Sequence, residues 1–481
     1  MLFNLIKKNN LYLIVILLGF ILSVTLSSYY VFKYDKYNQD NYSHQLIKDE
    51  TYYHWSQGSK IADEVRKGKS FFLSGDVTFT KPLLQRIIGL YSLITGYDLI
   101  ETVEQKTRVS LGGKLPYLIF QSLFYFTALI YFSKKLIKIL PNRAFLYVIF
   151  FLSLELTIFQ FHSSFFTESI YFSLQLIILG LLLERRINFS YNLLIGLLIG
   201  FLFLQRTAGY FYIFPVLLCY LFLFRKNSIK PLAGIIVGYT IIVLLIGSYN
   251  FYKTNVFYIF PSEGKYVLYK KFAIKVLADK LNISQSKAAK LEINEAIKWT
   301  KKNNIQFSKE INFNELYDPA EFKNYISNDV DKNKFFDYLN SKAISILIDS
   351  PLIAFKKTIV STLHLIVLNP MFNYYYNEHR GKNAKIEFVY TNVHKKLIPY
   401  RIIYTLIIYF FCLIGFISLF KKKEFYVLSI ITLSALYYVV LFGWYGMTRL
   451  YVPSLIYLSV LFGIGLDVFL NKLKERQLNI N

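Results

Sequence analysis

Long apolar runs separated by short clusters of lysine and arginine constrain the fold of this 481-residue chain more than any other feature. A helix needs about 20 apolar residues to cross the hydrocarbon core of a bilayer, and several runs have that length. Hydrophobic residues make up 54% of the chain and charged residues only 18%, which lies outside the range of soluble domains. We therefore predict an all-α polytopic membrane protein, embedded in a lipid bilayer.

The formal net charge of +25 does not indicate nucleic-acid binding, because the basic residues lie mostly at the ends of apolar runs. Such clusters mark the cytoplasmic ends of membrane spans. The first cluster, Lys7-Lys8, places the N-terminus in the cytoplasm. The run 11–32 is long for a signal peptide and lacks a clear cleavage site, so we interpret it as a retained anchor. The two cysteines, Cys219 and Cys412, lie inside apolar runs and leave no disulfide framework or zinc site.

When the spans alternate in direction, every basic cluster in the first half of the chain falls on the cytoplasmic side. This regularity supports seven spans. They are predicted at 11–32, 115–132, 144–160, 169–183, a fifth ending at 205, 210–224 and 232–249.

The last third of the chain has four apolar runs, and their number decides where the final basic clusters lie. If all four cross the membrane, Lys421-Lys422-Lys423 and the basic tail fall outside. If the run 352–368 is interfacial or re-entrant instead, both clusters fall inside, and we prefer this interpretation. The chain then has about ten full spans and one or two in-plane helices, with 83–96 as the other in-plane candidate.

Three divisions of the chain follow from this pattern. Residues 1–249 form an N-terminal transmembrane module, whose first outer loop covers 33–114. Residues 250–350 are polar and predict a small helical outer domain, in which Ser284 is the N-cap of a helix reaching Trp299. The C-terminal transmembrane helices follow. They are predicted within residues 351–481.

Polar and charged residues from distant parts of the chain collect on the predicted outer face. Charged groups at membrane depth are costly and usually mark a cavity or a site. Taken singly, Arg206 and Arg449 can simply extend to lipid phosphates. The presence of carboxylates on the same face favours a site. The residues concerned are Asp49, Glu50, Lys81, Glu168, Arg206, Asn250 and Arg449.

The first polar loop resembles that of a known family. The stretch DETYY at 49–53, a predicted helix ending at Gly68, and KPL at 81–83 are similar to the first periplasmic loop of the GT-C glycosyltransferases. The likeness is greatest to the lipid A aminoarabinose transferases and the related protein O-mannosyltransferases. Further similar segments follow in the family's order over nearly the whole chain. They are Thr167-Glu168, GLLIGFLFLQR at 196–206, Ser248-Tyr249-Asn250 and MTRLYVP at 447–453.

The resemblance implies an activity. The family moves a sugar from a polyprenyl-phosphate carrier to an acceptor at the outer face of the cytoplasmic membrane, usually with inversion. Asp49 is then the general base that takes the acceptor proton, and Glu50 orients a partner or keeps Asp49 ionised. The alternative from the residues alone is that this pair caps the following helix, because carboxylates are favourable at a helix N-terminus.

Further roles follow from the same resemblance. Lys81, Arg206 and Arg449 are expected to hold the donor phosphate, since arginine suits bidentate phosphate recognition. Residues expected to contact substrate are Tyr53, Glu168 and Asn250.

Two questions stay open on the sequence. Glu168 can instead cap its span, or ligate a divalent cation together with Asp49, and no cofactor is certain. The family's tryptophan and arginine before Asn250 are Ser248 and Tyr249 here, which leaves the acceptor open as a lipid, a glycan or a protein.

Two other functions compete with this interpretation. A transporter of a lipid-linked substrate is the rival of another class, but the chain shows no internal repeat, and its charges gather at one face rather than in mid-membrane. A lipid-linked polysaccharide polymerase or ligase is the nearer rival, because it shares substrates and setting. Its polar loop is expected late in the chain, whereas here the carboxylate pair follows the first span.

Overall fold

The computed structural model is helical along almost all of the chain that it describes. The helices of the first half are α1 (Leu11–Asp40), α2 (Glu50–Arg66), α3 (Pro82–Thr95), α4 (Leu111–Leu136), α5 (Asn142–Leu154), α6 (Leu156–Phe159), α7 (Glu168–Leu183), α8 (Phe189–Gln205), α9 (Ile213–Phe224) and α10 (Ile229–Thr254). Those of the second half are α11 (Glu263–Leu268), α12 (Ile274–Lys280), α13 (Gln285–Lys302), α14 (Asp329–Ile348), α15 (Pro351–Ile366), α16 (Lys385–Lys421), α17 (Phe425–Phe442), α18 (Thr448–Tyr451) and α19 (Leu455–Leu478). The described residues are 11–40, 50–75, 82–96, 100–103, 106–109, 111–162, 167–224, 228–255, 257–259, 263–307, 322, 325–327, 329–368, 385–446 and 448–478.

Seven of the described helices are long and apolar enough to cross a membrane, which confirms a helical multi-pass membrane protein. Helix α15 is not one of these candidates, and the total of about ten spans stays a prediction. The candidate spans are Leu11–Tyr29, Leu115–Leu136, Asn142–Phe159, Ile229–Thr254, Lys396–Lys421, Phe425–Phe442 and Arg449–Leu478. Three shorter apolar helices accompany them, at Glu168–Leu183, Phe189–Gln205 and Thr207–Phe222.

The all-helical expectation needs one correction, a short antiparallel ribbon in the first outer loop. Strand β1 (Ile100–Val103) pairs with β2 (Lys106–Val109), with Ile100 opposite Val109. The sequences IETV and KTRV are rich in β-branched residues, which favour a pleated strand over a helix.

Glycines bring α8 and α10 into direct backbone contact. A Cβ atom on Gly196 would lie 2.2 Å from the carbonyl oxygen of Ile235, and one on Gly238 would lie 2.2 Å from that of Leu193. Only glycine fits at such a distance, and small residues are the usual way for helices to pack closely in a bilayer. This contact fixes α8, whose C-terminal end leads into Arg206.

Helices α2 and α3 pack together over the predicted outer end of the bundle. Helix α2 ends at the predicted glycine, because Gly68 adopts a φ of 87° and its amide donates to the carbonyl of Val65 at 2.9 Å. Leu84 and Ile88 of α3 form a small hydrophobic cluster with Tyr117 and Ile170. The in-plane candidate helix therefore packs against the N-terminal turn of α7.

Residues 263–348 build a second hydrophobic cluster around side chains such as Tyr269 and Leu339. Ser284 is the N-cap of α13, as predicted, and its hydroxyl accepts from the amide of Lys287 at 3.3 Å. Contacts of Phe272 and Asp279 help to join this part to the rest of the described chain. The ring of Phe272 meets Trp444 edge-on, with centroids 5.9 Å apart, and Asp279 pairs with Lys357 of α15 at 2.7 Å.

Candidate functional site

A fully buried carboxylate, Glu168, begins α7 and is the centre of the site. Its residue exposure is 0%, and the hydroxyl of Thr167 donates to its Oε2 at 3.3 Å. An anion at a helix N-terminus is favoured by the helix dipole, so the predicted capping role is compatible with this position. That dipole alone does not offset burial of a full charge, which requires cationic partners.

Arg206 supplies the first cation from the end of α8. Its backbone is extended, which ends the helix and turns the side chain inward, where it is only 5% exposed. Nη1 lies 3.2 Å from Oε1 of Glu168, and the guanidinium stands 5.6 Å from the ring centre of Tyr171. The side-chain amide of Gln205 donates to the backbone carbonyl of Thr167 at 3.0 Å, which connects the C-terminal end of α8 to the N-terminal end of α7.

Arg449 supplies the second cation from α18, 281 residues from Glu168 along the chain. Its Nε donates to Oε1 of Glu168, and its Nη2 donates to Oε2 at 3.2 Å. This bidentate arrangement is the strongest form of the arginine–carboxylate pair. The side chain of Arg449 is 16% exposed and is the most accessible of the three.

Among the described residues, the cluster holds two guanidinium groups and one carboxylate. Nη1 of Arg206 is buried and, despite its distance of 3.2 Å from Glu168, makes no hydrogen bond of good geometry within the described part of the chain. A buried group of charges is costly to maintain and is a poor way to stabilise a membrane fold. The arrangement is suited to binding an anion.

A buried network of hydroxyl groups supports the cluster from the interior of the bundle. The hydroxyl of Tyr171 lies 2.8 Å from the hydroxyl of Tyr438. The side-chain amide of Gln175 also donates to the Tyr438 hydroxyl, at 2.7 Å. Gln175 further donates to Tyr457 at 3.1 Å, and the Tyr457 hydroxyl donates to that of Tyr212 at 2.7 Å. The network joins α7 to α17 and α19, and thereby fixes the ring on which Arg206 stacks.

The structure therefore brings together three of the predicted site residues: Glu168, Arg206 and Arg449. Asp49 and Lys81 lie outside the described residues. Glu50 and Tyr53 belong to α2, but their side chains are not among those described.

The side chain of Asn250 makes a hydrogen bond to the backbone inside the protein. It is buried, and its Nδ2 donates to the carbonyl of Tyr258 at 2.8 Å, which holds the segment that follows α10. The substrate role of Asn250 stays a prediction.

His162 lies in the segment between α6 and α7. It is buried against the ring of Tyr125, with centroids 4.1 Å apart, and its Nδ1 lies 2.9 Å from the hydroxyl of Ser169. Burial lowers its pKa to about 3, so the imidazole is neutral at pH 7. Because Ser169 follows Glu168, His162 helps to position the first turn of α7.

A second buried carboxylate, Glu155, was missed by sequence reasoning because it lies inside an apolar run. It divides the predicted third span into α5 and α6 and caps α6, accepting from the amide of Ile158 at 2.9 Å. Thr157 also donates to it at 2.7 Å, and Tyr404 of α16 donates to the same oxygen. These three donors satisfy the carboxylate locally, so Glu155 anchors α16 to this loop.

Tyr249 stands where the resembling family has an arginine, and the side chain of Arg86 packs against its ring. The guanidinium of Arg86 in α3 stands 5.3 Å from its ring centre and donates to the carbonyl of Phe72 at 3.0 Å. The hydroxyl of Tyr249 donates to the carbonyl of Gly75 at 3.3 Å. The first outer loop is thus held against α10.

The divalent cation left open for Glu168 does not fit the observed surroundings. Its carboxylate is already paired with two guanidinium groups, whose charge opposes a further cation. Within the described ranges, no group of three His, Cys, Asp or Glu side chains is placed to hold a metal ion.

Comparison of the sequence with protein-family models gives no match, and comparison with curated proteins gives none.

Proposed function

We propose that the protein is an integral-membrane glycosyltransferase. It transfers a sugar from a polyprenyl-phosphate donor to an acceptor at the outer face of the cytoplasmic membrane, with inversion at the anomeric carbon. The ordered resemblance to the GT-C enzymes supports this proposal, as does the setting of apolar helices. About ten spans and an outward-facing site belong to the same proposal.

The observation that carries the proposal is the convergence of Arg206 and Arg449 on Glu168. In this reaction negative charge develops on the leaving phosphate, so the site needs fixed cations close to the membrane. Two arginines can meet this need, because their forked N–H groups match phosphate oxygens. Lys81, from the first loop, is the third proposed cation.

The chemical step needs few other groups. An acceptor oxygen attacks the anomeric carbon, the bond from that carbon to the phosphate oxygen breaks, and the acceptor proton passes to Asp49. An isolated aspartate has a pKa of about 3.9, so it is a weak base toward an alcohol. It acts late, when the acceptor oxygen has become acidic through bond formation.

The decisive experiment is profiling of lipid-linked sugars in a strain that lacks the gene. We expect one polyprenyl-phosphate sugar to accumulate, because its consumption is blocked. The wild-type gene should restore the normal level, whereas Asp49→Asn and Arg206→Gln should not. Asp63→Asn is the matched control, because Asp63 is an exposed aspartate of α2 that pairs only with Arg66 among the ion pairs described.

Three outcomes would contradict the proposal. No accumulation in the deletion strain would remove the donor assignment. Restoration by Asp49→Asn would remove the catalytic base. Accumulation of a long lipid-linked glycan in place of a single sugar carrier would favour the polymerase or ligase alternative.

A further inference from the structure

We propose that Lys271, Lys275 and Lys357 bind the headgroup phosphate of an anionic membrane phospholipid, whose acyl chains lie along the exposed face of α15. The three lysines lie where residues 263–348 meet α15. The lipid in question is a component of the surrounding bilayer and not the sugar donor. The inference concerns how the chain is seated on its membrane, so it does not depend on the proposed transfer reaction.

The packing of α12 against α15 brings the three lysines together. Lys271 lies in a π-helical turn, Tyr269–Ala273, which joins α11 to α12, and Lys275 follows one turn later. π-Helical turns often occur at functional sites. Asp279 lies a further turn along α12 and pairs with Lys357 of α15 at 2.7 Å. Two segments distant in sequence thus place three ammonium groups at one junction.

This concentration of positive charge is unfavourable until an anion joins it. Lys275 is half-buried, and its pKa is lowered by burial and by the charges of Lys271 and Lys357. Asp279 offsets Lys357, but neither Lys271 nor Lys275 forms an ion pair with any other described residue. Like charges one turn apart destabilise a helix. A phosphate bound at the junction would offset the two lysines that Asp279 leaves unpaired.

Helix α15 supplies an apolar surface beside these charges. Leu352 and Phe355 are 82% and 66% exposed, and Ile359 and Leu363 continue the same stripe at intervals of four residues. The pair Lys356-Lys357 flanks the stripe. An apolar face with lysines at its border is typical of a helix that lies in the membrane interface. The candidate spans place the chain in a bilayer, so lipid is the partner that this stripe meets.

The two halves of the site together favour an anionic lipid over other ligands. A soluble phosphate would meet the lysines but leave the stripe on α15 uncovered. A zwitterionic lipid would cover the stripe but bring its own cation close to the lysines. An anionic phospholipid matches both surfaces, and one lysine near such headgroups strengthens binding by roughly fivefold.

The first test measures binding of dioleoyl phosphatidylglycerol to the purified full chain in detergent, by native mass spectrometry. Dioleoyl phosphatidylcholine and glycerol 1-phosphate serve as the zwitterionic lipid and the soluble anion. We expect phosphatidylglycerol to bind at least fivefold more tightly than either. Equal affinity for phosphatidylcholine would show that the lysines do not select the charge, and equal affinity for glycerol 1-phosphate would show that the acyl chains are not bound. Either result would overturn the inference.

The second test assigns this binding to the junction. Lys271→Gln and Lys275→Met should each lower the affinity for phosphatidylglycerol about fivefold. Lys302→Gln is the matched control, because it removes the same charge from an exposed position at the C-terminal end of α13. It should change the affinity less than about twofold. Equal losses in all three variants would indicate general attraction to a basic chain and would overturn the inference.

A third measurement separates lipid binding from a structural role of Lys275. Without anionic lipid, Lys275→Met should unfold at a slightly higher temperature than wild type, because it removes a crowded charge. Added phosphatidylglycerol should then raise the melting temperature of wild type more than that of the variant. A variant that is less stable than wild type without lipid, and equally stabilised by lipid, would overturn the inference. Lys271 is exposed, so Lys271→Gln decides the question if Lys275→Met does not fold, and unchanged affinity there would also overturn it.

Discussion

At each end of helix α7, one carboxylate pairs with two cations. The two clusters differ in almost every other respect. At the first turn, Glu168 is fully buried between Arg206 and Arg449. Just after the last turn, Glu184 pairs with Arg186 at 2.8 Å and with Lys135, and its side chain is 16% exposed. The two clusters are separated by 16 helical residues, or about 24 Å.

The comparison shows that burial, rather than composition, separates a site from a topology signal. An ion pair in contact with water contributes little to stability, and Glu184 belongs to the basic cluster that marks a span end. The Glu168 cluster has been removed from water at a cost that the attraction within it only partly offsets. This cost is one reason why we propose a function for the Glu168 cluster and not for the Glu184 cluster.

The largest expected contrast concerns stability. Arg449→Met removes two hydrogen bonds from a buried carboxylate and should lower the free energy of unfolding by about 3 kcal/mol. Arg186→Met removes a solvent-exposed partner of Glu184 and should cost less than about 1 kcal/mol. Denaturation of the two variants in detergent measures both values, and equal losses would mean that burial does not distinguish the clusters.

The second contrast concerns transfer activity. Arg206→Lys keeps the charge but loses the forked N–H groups, so we expect sugar transfer to fall about 100-fold. Arg186→Lys, at the other end of α7, should change it less than about twofold. An assay of transfer from a polyprenyl-phosphate sugar measures both rates. Full activity in Arg206→Lys would show that charge alone is sufficient at this position.

The third contrast compares two tyrosines of α17, one near each end of α7. Tyr438→Phe leaves both Gln175 and Tyr171 without the shared hydroxyl, and should cost about 2 kcal/mol. Tyr426→Phe removes one hydrogen bond to the carbonyl of Leu182 and should cost about 1 kcal/mol. Thermal unfolding of the two variants checks the order, and an equal or larger loss in Tyr426→Phe would contradict it.

The smallest expected effect is a pH dependence at the Glu184 cluster. The hydrogen bond from Lys135 holds the pKa of Glu184 below its usual range, so its pairing stabilises the fold above the unfolded pKa. Wild type should therefore be slightly more stable than Glu184→Gln at pH 7. The difference should shrink as the pH falls below about 4.3, the ordinary pKa of glutamate. A difference that grows in acid would contradict the assignment.

Several local features of the fold follow from the sequence alone. Gly68 ends α2, Ser284 begins α13 and α8 ends at Gln205, all as predicted. These positions are decided by the backbone freedom of glycine, by a capping hydroxyl and by the end of an apolar run. The start of helix α14 at Asp329 is harder to predict, because its first turns are polar and lack a clear hydrophobic period.

The candidate site could be predicted only in part. The alternation of spans places Glu168, Arg206 and Arg449 on one face, because the side of the membrane depends only on the count of spans. It does not predict that their side chains touch, because that depends on how α7, α8 and α18 pack. Burial of His162 and the contacts of Tyr438 were missed for the same reason.

Composition and spacing along the chain thus determine which segments are apolar helices and which ends carry charge, because both depend on neighbouring residues. Tertiary packing decides which charges are buried. Glu168 and Glu184 are the same residue type and each has two cations within reach, but Glu184 is partly exposed whereas Glu168 is fully buried. Segments 281 residues apart must meet before a carboxylate can be enclosed, and only the folded chain brings them together.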